Sequence, residues 1–211
     1  MSIASTILEH EIPQKRRVFF SFHYQNDIWR VNQVRNSWRY QKEQDRFAEG
    51  FFDASIWERS QRNSPDSLKN LIREGLRNTS VTCVLSGSET YNRRWVRYEI
   101  AQSIIKGNGL LVVNIHNLKN NYGHGSLSGP NPLSCMGAYH GDDGRILLAV
   151  KQNDNWVKYQ DYTQAITLPN GWTQPKINKV IPFNRYTKEY CYAVQNGHIN
   201  FPNWVRSSLE R

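Results

Sequence analysis

Cysteine is scarce in this chain: Cys83, Cys135 and Cys191 are the three in 211 residues. The number is odd and no two form a CxxC pair. That argues against a disulfide framework or a structural zinc site and fits a reducing, cytoplasmic setting. The six histidines show no HxH or HExxH spacing, so no metal centre is expected. Long apolar runs are also missing. None approaches the length that spans a bilayer, and residues 1–14 read as a loose lead-in with neither a signal peptide nor a membrane anchor. GxxxxGK[ST], GxGxxG and GxSxG are all absent. A P-loop enzyme, an ordinary Rossmann dehydrogenase and the main serine-hydrolase signature are thereby disfavoured. There is no internal repeat and no low-complexity tract.

Acidic residues are outnumbered, 18 against 27 basic ones, for a formal net charge of +9. The excess either suits an anionic partner or simply keeps the chain soluble. Nucleic acid is the less favoured partner, because no compact basic-aromatic repeat of the kind a strand groove needs is present. With 38% hydrophobic and 12% aromatic residues the chain is expected to fold, as one sizeable domain with or without a small appendage.

Four short apolar runs dominate the first half. RRVFFSF (16–22), EGFFDAS (49–55), VTCVLSG (81–87) and GLLVVNIH (109–116) read as buried strands. Between them lie helical patterns. IWRVNQVRNSW places Ile28, Val31 and Val34 on one face, with Asp27 as the expected cap. SLKNLIREGL (67–76) is amphipathic behind a Ser64-Pro65-Asp66 start signal, and Ser88 to Ile105 reads as a loop followed by a helix. Strands alternating with helices imply βαβ units and a mainly parallel sheet, whose ligands bind beyond the carboxyl ends of the strands. Past 120 the pattern weakens. NNYGHGSLSGPNP (120–132) reads as a long loop and RILLAV (145–150) as one more strand. Residues 151–211 read as an irregular C-terminal extension packed on the 16–150 domain.

Three stretches carry more information: VFFSFHYQND (18–27), FFDAS (51–55) and SETYNRRWVRYEI (88–100). Together they resemble the TIR domain family, whose third helix presents a serine, a tyrosine, a tryptophan and a glutamate in the order of Ser88, Tyr91, Trp95 and Glu99. The resemblance covers roughly residues 16–118. With VRNSW (34–38), FFDASIWE (51–58), NTSVTCVLSGSETYNRRWVRYEI (78–100) and GPNP (129–132), the chain looks like the TIR-like subfamily of the bacterial Thoeris anti-phage system. That resemblance implies a flavodoxin-like three-layer α/β sandwich. It also implies an enzyme that senses infection and converts NAD, as substrate and with no separate cofactor, into a cyclic ADP-ribose isomer. A downstream effector is then reached through that diffusible product; a phage-derived trigger and self-assembly belong to the same expectation. A TIR fold serving only as a scaffold is the alternative. Two departures stand out: IWERSQRNSPDS (56–67) lacks the arginine-aspartate-proline-glycine signature of receptor BB loops, and the C-terminal segment exceeds a minimal TIR domain.

Breaking the nicotinamide–ribose bond needs little acid catalysis, because the leaving group is a cation that departs neutral. The transition state needs support for an oxocarbenium-like sugar, and one carboxylate can supply it. By its residues alone Glu99 is either an ordinary surface carboxylate paired with a nearby Arg or Lys, or that acid; the resemblance implies the catalytic role. Trp95, four residues earlier and on the same helical face, either walls the ribose or packs in the core. The resemblance places the loop after the first strand against the nicotinamide, making Phe19 and Ser21 pocket candidates, with His23 and Tyr24 as further candidate contacts. Phe20 serves either the pocket or the core, and Asp53 either a ribose hydroxyl or a turn. Arg30, Arg35, Arg93, Arg94 and Arg97 are candidates for the pyrophosphate.

Overall fold

A computed structural model describes residues 16–39, 48–51 and 64–210. Its centre is a five-stranded sheet of β1 (Arg16–Phe22), β2 (Ala48–Phe51), β3 (Val81–Ser86), β4 (Gly109–Asn114) and β9 (Lys188–Cys191). The spatial order is β2-β1-β3-β4-β9 and every pairing is parallel. The sequence reaches β9 only after a long excursion. It carries β5 (Met136–His140), β6 (Ile146–Gln152), β7 (Asn155–Lys158) and β8 (Ile181–Pro182), which form a separate antiparallel sheet in the order β7-β6-β5-β8. The helices are α1 (Tyr24–Arg39), α2 (Pro65–Leu76), α3 (Arg94–Lys106) and α4 (Gly197–Ser207). The expected flavodoxin-like α/β sandwich is therefore present, and residues 151–211 contribute its edge strand β9 and its helix α4.

Alternation along the strands separates two faces. Val18, Phe20, Phe22, Cys83, Leu85, Leu111 and Val113 meet Val31 and Val34 of α1 and Phe201, Trp204 and Val205 of α4. On the other face Val84, Leu110 and Val112 pack with Val96, Ile100 and Ile104 of α3, and the second sheet joins them through Met136, Ala138, Leu148 and Val150. Phe19 turns to this face too, into a smaller cluster with Leu68, Ile72 and Leu76 of α2 and Tyr98 of α3. Each Val, Leu, Ile, Met or Phe among them contributes about 1.5–3 kcal/mol by leaving water.

Local signals fix the helix ends. Ser64 caps α2, its hydroxyl accepting from the Ser67 N–H, with Pro65 at the first helical position. Gly107 ends α3 at φ 78°, a left-handed turn that suits glycine. The expected cap of α1 is corrected. The helix starts at Tyr24, and the Asp27 N–H already donates to the His23 carbonyl at 3.0 Å. Asp27 lies inside the first turn, with its carboxylate turned inward for another task. The second strand is seen over Ala48–Phe51; the rest of its expected span, including Asp53, lies outside the described residues.

Candidate active site

Parallel strands all end at one edge, so the segments after Phe22, Ser86 and Asn114 gather there. Ser21 is the penultimate residue of β1 and, by strand alternation, shares the face of Phe19. Across from it stands Glu99, near the middle of α3. The Ser21 hydroxyl donates to Glu99 Oε2 at 2.5 Å, although the two are 78 residues apart. Glu99 is 8% exposed. Burial drives its carboxyl from 4.5 to about 8, and the Ser21 hydrogen bond pulls the other way. No lysine or arginine among the described residues forms an ion pair with it. A buried carboxylate without a cationic partner costs stability, so this position is not that of an ordinary surface glutamate. One turn later, the Ser103 hydroxyl donates to the Glu99 carbonyl at 2.6 Å and accepts from the Thr82 hydroxyl of β3 at 2.7 Å, tying this turn of α3 to the sheet.

His23 follows β1 directly. It is 4% exposed, and its Nδ1 is buried without a hydrogen-bond partner. Burial first, then the nearby Arg93 cation, lowers its pKa to about 4 against the opposing pull of Glu89, so the imidazole is neutral at physiological pH. Trp95 is half-buried against the Phe19 cluster, edge-on to Tyr98 with ring centroids 6.2 Å apart, and the Arg94 guanidinium covers its ring at 4.8 Å. The structure thus brings Phe19, Ser21, His23, Trp95 and Glu99 to one side of the sheet. Phe20 is the exception. It points to the opposite face, 5.9 Å from the ring of Phe201, and belongs to the α1–α4 core. The period of two along a strand dictates this: Phe19 and Phe20 cannot share a face.

Sequence reasoning missed a polar hub at the same edge. The Asp27 carboxylate, 1% exposed, accepts from Thr90 Oγ1 at 3.4 Å and pairs with Arg30 at 3.3 Å. Thr90 Oγ1 in turn accepts from the Gly87 N–H at 2.9 Å. Arg30 donates to the carbonyls of Asn26, Leu118 and His124. One buried pair therefore fastens the loops after β3 and β4 to α1. Gly87 is part of the same hub: a β-carbon there would lie 2.2 Å from Asp27 Oδ2. Desolvation raises the Asp27 pKa, with Arg30 and Thr90 opposing. Arg30 is wholly engaged, which removes it from the candidates for an anionic ligand.

Comparison with known proteins gives the family. Residues 19–120 match the family described as Thoeris protein ThsB, TIR-like domain. A relative from Bacillus cereus (strain MSX-D12), named "Putative cyclic ADP-D-ribose synthase ThsB1", is 40% identical over 201 residues, which cover 90% of this chain and 98% of the relative. A flavodoxin-like sheet and likeness over nearly the whole length converge: the chain belongs to the Thoeris ThsB family of TIR-like proteins.

Proposed function

We propose that this protein cleaves the nicotinamide–ribose bond of NAD and closes the remaining ADP-ribose into a cyclic isomer. The name of the Bacillus cereus relative supports the product class. The observation that carries the mechanism is the buried Glu99, held by Ser21 and left without a counter-cation among the described residues.

In the folded chain burial favours the neutral acid. The cationic nicotinamide ribosyl group of NAD supplies the missing positive charge, so binding favours loss of the proton and gives a carboxylate beside the sugar. The bond from the ribose anomeric carbon to the pyridinium nitrogen then breaks, and its electron pair goes to that nitrogen. Nicotinamide leaves neutral and the ribosyl cation is held by the Glu99 carboxylate. The Ser21 hydroxyl fixes the carboxylate and favours its ionised form. A nucleophilic atom elsewhere in the same nucleotide captures the cation and loses a proton, closing the ring; water in its place gives linear ADP-ribose. NAD is the substrate and no separate cofactor takes part. The diffusible product acts on a separate effector, in answer to a phage-derived trigger and with self-assembly as part of activation.

The test is nicotinamide release from NAD by the native protein and by Glu99→Gln, in lysate of phage-infected cells. Release by the native chain and its loss in the variant are expected. No release by the native chain would favour a scaffold that uses the TIR fold only for contact.

A further inference from the structure

Sequence reasoning left five arginines as possible partners of the substrate's diphosphate, and the structure separates them. Arg30 is consumed by Asp27 and three backbone carbonyls. Arg94 binds Asp161 through two hydrogen bonds, at 2.9 and 2.6 Å. Arg97 donates to the carbonyls of Tyr91 and Lys151 and to Asn92. Arg35 is engaged as well. Arg93 differs. Its Nε is buried and has no hydrogen-bond partner. It stands at the N-cap of the 13-residue helix α3, which has no side-chain cap and no acid in its first turn. The first turn of that helix thus supplies no acid of its own to offset the positive end of the helix.

Two neighbours complete the cluster. His23 Nδ1, buried and unpartnered, lies 3.9 Å from Glu89 Oε2. Glu89 binds Arg93, and accepts from Asn26 Nδ2 at 2.9 Å. All three contacts fall on Oε2, which leaves Oε1 without a partner among the described residues. A guanidinium with an unused donor beside a carboxylate with an unused acceptor is complementary to a phosphate joined to a sugar diol. The fork takes phosphate oxygens and the carboxylate takes ribose hydroxyls. His23 is two residues beyond Ser21, a step of about 7 Å in extended chain, so the cluster borders the place where Glu99 would hold the reacting ribose.

We propose that Arg93 and Glu89, with His23, form the subsite for the diphosphate and the adenosine ribose of the substrate, Arg93 binding the diphosphate and Glu89 Oε1 the ribose diol. The assignment rests on the NAD reading for its ligand, but its test reads binding, separately from turnover. Calorimetric titration of the full chain with ADP-ribose and with adenosine is the measurement. Arg93→Gln is expected to weaken ADP-ribose by tenfold or more, with Arg93→Lys recovering part of it. Glu89→Gln is expected to weaken both ligands, and Arg94→Gln neither. Melting curves of each variant identify any that fail to fold, and Arg93→Lys, which keeps the charge, then carries the comparison. Equal ADP-ribose affinity in Arg93→Gln and Arg94→Gln, or no binding of ADP-ribose by the native chain, would overturn the subsite. Native binding without nicotinamide release would sink the activity instead and leave the subsite standing.

Discussion

Glu99 sets the pH behaviour at the scale of single residues. Its carboxyl titrates near 8 in the folded chain against 4.5 ordinarily, so folding takes up a proton between those values. Stability from this group is fully present below the lower value and is lost as pH rises through the upper one. Glu99→Gln removes that loss. The variant should melt above the native protein near pH 8, with the difference shrinking toward about pH 5, as thermal denaturation at several pH values will show. The ionised form is the one proposed to act, so kcat/KM for NAD should rise about tenfold per pH unit up to about pH 8 and then level off. Ser21→Ala deletes the hydrogen bond that favours ionisation. It should move that midpoint upward and lower kcat/KM near neutrality by roughly tenfold. At this scale the sequence was partly legible. Ser21 and Glu99 could be named through the family pattern, but their contact joins residues 78 apart and no local rule encodes it.

Elements were easier to read than their edges. The strands at β1, β3 and β4 and the cap of α2 follow from apolar runs and a Ser-Pro signal that act locally. The start of α1 misled because Asp27 has the chemistry of a cap, yet burial recruits it to Arg30 and Thr90. That hub joins α1 to the loops after β3 and β4, and its loss should be felt in their order. Thr90→Val removes the bridge between Asp27 and Gly87 N–H and leaves buried groups unpaired. It should cost about 1–3 kcal/mol in denaturant melts. It should also speed hydrogen exchange at Gly87 and in 118–124 more than in β4, whereas uniform acceleration would argue against a local tie.

The whole molecule depends on residues that look irregular in sequence. β9 has only four residues, KEYC, two of them charged, and its pairing partner β4 lies far upstream. Such a strand has no apolar run of its own to announce it; it is specified by the neighbour it completes. Helix α4 behind it buries Phe201 fully against the sheet, beside Phe20. Phe201→Ala should therefore cost about 3–5 kcal/mol, and a chain ending at residue 187 should lose its cooperative thermal transition. A shortened chain that melts like the native one would show that the last segment is merely appended.

The central claim concerns one acid and one bond. Mass spectrometry of nucleotides formed from NAD in phage-infected lysate, with the native chain and with Glu99→Gln, tests it most directly. Free nicotinamide and a cyclic ADP-ribose isomer from the native protein, both absent with the variant, are the expected result. Equal yields from the two proteins would contradict it.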